Sequence, residues 1–109
     1  MKWYPVTSVN DVEAIIDRSR VTPCLILKHS TRCPISSMAK NRVEMNWDLD
    51  DEVEAYYLDL IAYREVSNYI ASEFGVQHES PQALLIKDGQ CVHSASHLNI
   101  HVADFKVAA

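Results

Sequence analysis

The 109-residue chain contains only two glycines, and this scarcity limits the kinds of site it can build. A glycine-rich phosphate loop needs several glycines because its backbone must approach the phosphate closely, so we expect no nucleotide site of that kind. No apolar run approaches the roughly 18 residues that suggest a membrane helix. The N-terminal segment, MKWYPVTSV, is too polar for a secretory signal, so we expect a cytoplasmic protein without a membrane partner.

An excess of positive charge is also missing. The formal net charge is -5, whereas a protein that binds nucleic acid usually presents a basic face, so we expect no nucleic-acid partner. The contents of hydrophobic residues (48%) and charged residues (23%) are ordinary for a globular protein. The length suits one core, and we expect a single domain over residues 1–109.

Cysteine is rare too, and its three copies form no regular framework. Stable disulfides are uncommon in the cytosol, so a free thiol is the simplest state for each. Cys24 lies in an apolar run and is interpreted as core, too far from Cys33 for a direct disulfide unless the chain moves. Cys91 begins the last predicted strand, where its side chain can be half exposed.

Hydrophobic periodicity predicts alternating helices and strands. Apolar residues at helical spacing, and Pro34 at a first helical position, mark the helices. In the C-terminal helix we expect Ile100, Ala103 and Val107 on the buried face. The predicted elements are a helix within 7–20, a strand at Cys24–Leu27, a helix from Pro34 to about Asn46, a strand over 54–60, a helix over 64–74, a hairpin over 82–95 with its turn at Asp88-Gly89, and a helix within 98–109.

The predicted order is therefore α-β-α-β-α-β-β-α. Strands separated by helices favour crossover connections and a parallel sheet, and the final hairpin adds an antiparallel edge. This pattern predicts an α/β fold with a four-stranded mixed sheet and helices on both faces.

The segment STRCPISSMAK places Cys33 between a buried strand and a helix whose first residue is Pro34. Reactive groups in α/β sheets gather outside such strand ends. The free N–H groups of a first helical turn stabilise a thiolate and lower its pKa. Ser36 can donate a hydroxyl hydrogen bond to the same sulfur. The alternative is that Cys33 is only a small residue in a tight turn.

A second candidate segment is HESPQ, in which Ser80-Pro81 directly precedes a strand. A proline in this place can be cis, a state that usually occurs in tight turns. The commoner alternative is a trans proline that starts an edge strand.

Three histidines at a spacing of four, His93, His97 and His101, resemble a set of metal ligands on one helix. However, His93 is predicted in a strand and His97 in the loop after it, so the spacing does not place them on one face. We therefore expect no metal site here. No paired-carboxylate site is evident either.

Three segments together resemble the monothiol bacilliredoxin (YtxJ-like) family of the thioredoxin-like superfamily: KHSTRCPISSMAK, SNYIASEFGVQHESPQALLIKDGQ and SASHLNI. The likeness runs from about Pro23 to the C-terminus. The family hallmark TCPIS is present as Arg32 to Ser36, with arginine where the family often has threonine. This departure changes the local charge rather than the chemistry.

The resemblance implies a thioredoxin-like fold and thiol–disulfide exchange with bacillithiol, a low-molecular-weight thiol. The Cys33 thiolate would attack the mixed disulfide of a bacillithiolated cytosolic protein, and a second thiol would then restore Cys33. No cofactor is bound tightly in this scheme, and bacillithiol is the co-substrate. The implied catalytic residues are Cys33, Pro34 and Ser36, and the implied substrate-binding residues are Arg32, Ser80, Pro81 and His97.

Two other functions remain open from the sequence. A monothiol site on this fold can anchor an iron–sulfur cluster across a dimer. The same cysteine can also serve as a redox sensor that is modified without turning over a substrate.

Overall fold

Five strands form one sheet in the computed structural model, which describes residues 1–109. Four α-helices and a short 3₁₀ turn at His97–Asn99 complete the chain. The elements are β1 (Trp3–Pro5), α1 (Val9–Arg18), β2 (Cys24–His29), α2 (Pro34–Asn46), β3 (Glu54–Asp59), α3 (Arg64–Phe74), β4 (Gln82–Lys87), β5 (Gln90–Ser96) and α4 (Val102–Ala108).

The strand order is β1-β3-β2-β4-β5, with β3 parallel to both β1 and β2. The expectation of four strands was wrong, because β1 also joins the sheet. Its three residues pair with Ala55 to Tyr57 of β3. A three-residue strand that ends in Pro5 has too few residues to show alternation, and so the pattern does not reveal it.

The direction of β4 also differs from the simple crossover expectation. It follows helix α3, yet it runs antiparallel to β2, with Lys28 opposite Gln82 and Cys24 opposite Ile86. The hairpin to β5 is antiparallel, as predicted. Asp88 and Gly89 both have positive φ (53° and 77°), which the tight two-residue turn requires.

Helices cover both faces of the sheet, as predicted. The core on one face includes Ile15 of α1, Ile70 of α3 and Ile26 of β2. The core on the other face includes Val43 of α2 and Leu27 of β2. All six residues of β2 are buried, and so the central strand is packed from both sides.

The ends of the helices follow from local chemistry. The Ser8 hydroxyl accepts a hydrogen bond from the Asp11 N–H (3.1 Å) and so caps α1. Gly75 ends α3 in the left-handed conformation (φ 65°), as predicted for a C-terminal cap. No helix is long and apolar enough to cross a membrane.

The predicted buried face of the C-terminal helix was wrong in part. Ile100 is buried, but it precedes α4. Ala103 and Val107 are exposed, and Val102 and Phe105 are buried instead. The helix starts later than the pattern predicts, because residues 97–99 form the 3₁₀ turn, and this turns the apolar stripe to Val102 and Phe105.

Candidate active site

Cys33 is the N-cap residue of α2. The chain leaves β2 at His29 and reaches Cys33 after the turn at residues 30–32, in which the Cys33 N–H donates to the Ser30 carbonyl (3.2 Å). Cys33 has extended backbone angles (φ -109°, ψ 117°), and Pro34 occupies the first helical position, where its missing N–H costs nothing. Cys33 is partly exposed, so its thiol is not sealed within the core.

The first turn of α2 favours the thiolate. The pKa of Cys33 is lowered, chiefly because the backbone N–H of Ser36 faces the sulfur. Partial burial opposes this effect, while the N–H of Ile35 and the Ser36 hydroxyl add to it. The Cys33 sulfur makes no capping hydrogen bond of its own with the helix. No acidic residue lies in the first helical turn to repel a thiolate.

Ser36 is fully buried beneath the cysteine. Its Oγ accepts a long hydrogen bond from the Ser30 N–H (3.4 Å), which leaves the hydroxyl proton free to point at the sulfur. Ser36 therefore links the turn before Cys33 to the helix after it. Because its side chain is a hydroxyl, it cannot form a disulfide with Cys33.

The segment before β4 meets the end of β5 at the same edge of the sheet. The Ser80-Pro81 peptide is cis. The Pro81 carbonyl accepts a hydrogen bond from the His97 N–H (2.9 Å). Gln82 lies opposite Lys28, near the C-terminal end of β2. Pro81, the residue before Gln82, therefore lies at the end of the sheet where β2 stops and the turn to Cys33 begins.

His97 has a left-handed backbone (φ 57°), unusual for a residue other than glycine. Its half-exposed side chain places Nδ1 3.6 Å from Oε2 of Glu79. The structure thus joins the HESP and SH segments, which the sequence separates, into one patch beside Pro81. Arg32 is exposed, and its side chain makes no hydrogen bond or ion pair with this patch.

His29 lies directly before the cysteine turn, but it is not a cation that stabilises the thiolate. The side chain is buried against the Tyr57 ring (5.5 Å between centroids), and Nδ1 has no hydrogen-bond partner. Burial, aided by the charge of Lys40, lowers the pKa of His29. The imidazole is therefore neutral near pH 7.

A buried polar cluster behind Pro81 was missed by the sequence reasoning. Lys28 is fully buried, and its Nζ donates to the Ser67 carbonyl (3.1 Å) and lies 3.3 Å from Nδ1 of His78. The Ser67 hydroxyl lies 3.2 Å from the same nitrogen. Burial lowers the pKa of Lys28 to about 8. A lysine at the end of an apolar strand was the available signal.

The other two cysteines lie in environments that do not activate them. Cys24 begins β2, at the opposite end of the strand from Cys33, and burial raises its pKa to about 12. Cys91 is partly buried, and burial raises its pKa as well. All three cysteines are free. No group of three or more His, Cys, Asp or Glu side chains is placed to hold a metal ion.

Comparison with known proteins agrees with the family resemblance of the sequence. The sequence profile of the family described as monothiol bacilliredoxin BrxC matches residues 4–105. A solved structure of a protein assigned as an oxidoreductase with a thioredoxin fold is similar at a TM-score of 0.84 and 33% identity, covering 95% of this chain and 90% of that chain.

Thioredoxins from two other organisms share the fold at lower identity. The protein from Trypanosoma brucei brucei has a TM-score of 0.75 at 16% identity, covering 97% of this chain and 88% of that chain. The protein from Fasciola hepatica has a TM-score of 0.72 at 19% identity, covering 95% of this chain and 94% of that chain. The thioredoxin-like fold is thereby confirmed, and a thiol redox role follows from the family. The chain belongs to the monothiol bacilliredoxin family.

Proposed function

We propose that the protein is a thiol–disulfide oxidoreductase that removes bacillithiol from S-bacillithiolated proteins. The observation that carries this proposal is an accessible thiol with a lowered pKa at a helix N-terminus, with a buried serine where a second cysteine would close the site. A monothiol of this kind can accept a low-molecular-weight thiol but cannot release it through an internal disulfide.

The reaction consists of two exchanges that conserve atoms and electrons. The Cys33 thiolate attacks the bacillithiol sulfur of the mixed disulfide, the bond between that sulfur and the substrate cysteine breaks, and the substrate leaves as a thiolate that takes a proton from water. The Cys33–bacillithiol disulfide remains. The thiolate of a second bacillithiol molecule then attacks the bacillithiol sulfur of this Cys33–bacillithiol disulfide. The Cys33 thiolate is released, and the two bacillithiol molecules leave as oxidised bacillithiol.

Each site residue has a proposed role in these exchanges. Pro34 starts α2 so that the free N–H groups of the first helical turn face the sulfur. Ser36 supplies a backbone N–H and a hydroxyl to the thiolate. Ser80 and Pro81 offer main-chain groups to the substrate. His97 and Arg32 are proposed to meet the anionic groups of bacillithiol.

The proposed partners are S-bacillithiolated cytosolic proteins and free bacillithiol, with neither nucleic acid nor a membrane involved. The reaction is placed in the cytoplasm, where thiols stay reduced, and it uses no tightly bound cofactor. These assignments agree with the net charge of -5 and with three free cysteines.

Intact mass spectrometry tests the proposal. The reduced protein is mixed with a bacillithiolated reporter protein, and we expect it to gain one bacillithiol while the reporter loses one. Cys33→Ser should gain none, whereas the matched control Cys91→Ser should behave as the wild type. If the wild type gains no bacillithiol although iodoacetamide alkylates Cys33, the proposed reaction is refuted.

A further inference from the structure

A polar cavity of about 490 Å³ lies between the segment before Pro81 and the edge strand β5. Its lining contains serines of β5, two acidic side chains, a buried glutamine and two histidines, and no lysine or arginine. Its polar side chains include Glu79, Gln82, His93, Ser94, Ser96 and Asp104.

Gln82 gives this cavity an unmet hydrogen-bonding need. The residue is only 2% exposed, and its Nε2 donates to the Gln77 carbonyl (2.9 Å). Its Oε1 is buried and has no partner. A second lining residue, His93, also has a buried nitrogen, Nε2, without a partner. Buried polar atoms normally have partners, so the unpaired amide oxygen points to a ligand that donates hydrogen bonds.

The charges of the lining define that ligand further. Glu79 and Asp104 contribute carboxylates, and Ser94 and Ser96 contribute hydroxyls. Since the lining holds two carboxylates and neither lysine nor arginine, an ammonium group is favoured there, whereas a carboxylate would be repelled. Sugar hydroxyls suit the serines and the free amide oxygen, because hydroxyl groups both donate and accept.

The position of the cavity connects it to Cys33. Gln82 follows Pro81 directly and lies opposite Lys28, near the end of the strand that leads to Cys33. His97, which also lines the cavity, donates its N–H to the Pro81 carbonyl. A small thiol held by its sulfur at Cys33 can therefore extend past Pro81 toward Gln82.

We propose that this cavity is the subsite that selects the low-molecular-weight thiol, by receiving the free ammonium of a cysteine-derived thiol and the hydroxyls of an attached sugar. The proposal rests on the proposed function and names the part of bacillithiol that the protein reads. The anionic end of the ligand lies at the mouth of the cavity, where the half-exposed His97 meets it. Gln82 and Glu79 are then specificity-determining residues.

Steady-state kinetics with two reporter mixed disulfides tests the selection step. One reporter carries bacillithiol and the other carries N-acetylcysteine, which lacks the ammonium and the sugar. We expect Gln82→Leu to raise KM for the bacillithiol reporter about tenfold, as expected for one lost hydrogen bond, with kcat little changed. Glu79→Gln should raise it about threefold, and neither should raise KM for the N-acetylcysteine reporter. Asp51→Asn, in the exposed turn before β3, is the matched control.

The outcomes separate the two proposals. If the wild type accepts bacillithiol but both variants keep its KM and its preference over N-acetylcysteine, the subsite is refuted and the proposed function stands. If the wild type transfers no bacillithiol, the proposed function fails, and binding alone then decides the subsite. For that purpose, Cys33→Ser is titrated with reduced bacillithiol while the Gln82 side-chain amide is followed by NMR. A shift supports the subsite, and an unmoved amide overturns it. Because Glu79 is exposed, its variant tests the subsite even if Gln82→Leu fails to fold.

Discussion

Lys28→Met tests the energetic consequence of burying an amine without a carboxylate partner. Lys28 is fully buried, and its Nζ contacts only the Ser67 carbonyl and the His78 ring. Burial lowers its pKa from 10.5 to about 8, because the charged form loses its hydration. Methionine has a similar length and no charge, so the substitution removes the titrating group and keeps most of the packing.

The sign of the effect follows from which state binds the proton. Below pH 8 both the folded and the unfolded protein carry the charge, and the folded state bears the full cost of burying it. Between pH 8 and 10.5 the folded state releases the proton while the unfolded state keeps it, so the free energy of unfolding rises with pH. The gap between the two pKa values corresponds to about 3 kcal/mol, most of which is recovered between pH 7 and pH 10.

Urea unfolding under reducing conditions, at several pH values from 7 to 10, measures this effect. The stability of Lys28→Met relative to the wild type should be greatest at pH 7 and should fall by about 2 to 3 kcal/mol by pH 10. The difference between the two proteins isolates Lys28, because tyrosines and cysteines titrate equally in both. Parallel stability curves would refute the reasoning, since they would mean that the buried amine has an ordinary pKa or that its surroundings open to water.

Three further predictions concern individual residues. The rate of iodoacetamide alkylation of Cys91→Ser, measured against pH, should show a midpoint below the free-thiol value of about 8.5. Adding Ser36→Ala should raise this midpoint only partly, because the backbone N–H of Ser36 is the largest cause of the lowered Cys33 pKa. A midpoint at the free-thiol value would contradict this. By NMR titration, Lys28→Met should raise the pKa of His78, which that charge helps to lower; an unchanged value argues against their contact. Gly89→Ala should cost about 1 kcal/mol, measured by urea unfolding, because the position has φ 77°; unchanged stability would mean that the turn rearranges.

Most of the fold was predictable because its signals are local. The helix from Pro34 to Asn46 and the cap at Gly75 each depend on neighbouring residues. Strand β2 extends past Leu27 to His29 because Lys28 and His29 pair with β3 and bury their polar side chains by tertiary contacts. Such burial depends on partners far along the chain, and no window of sequence contains them.

The candidate site also combines residues that are close in the sequence with residues that only the fold brings together. Cys33, Pro34 and Ser36 act within one helical turn, so the sequence places them together. The His78 contact with Lys28 spans 50 residues, and the hydrogen bond from His97 to Pro81 joins the residue after β5 to the residue before β4. These contacts, and the cavity beside them, follow from the antiparallel placement of β4, which the crossover pattern did not predict.

The residues that make the Cys33 thiol reactive are different from those proposed to select the small thiol that it accepts. Reactivity depends on the N–H groups of α2. Gln82, in contrast, pairs with Lys28 and belongs to the face of β4 that packs against α1 and α3. No hydrogen bond connects the Cys33 sulfur to the segment before Pro81, so its residues can change without altering the thiolate. Substitutions in residues 76–82 are therefore expected to change which small thiol the protein accepts while leaving the pKa of Cys33 where α2 sets it.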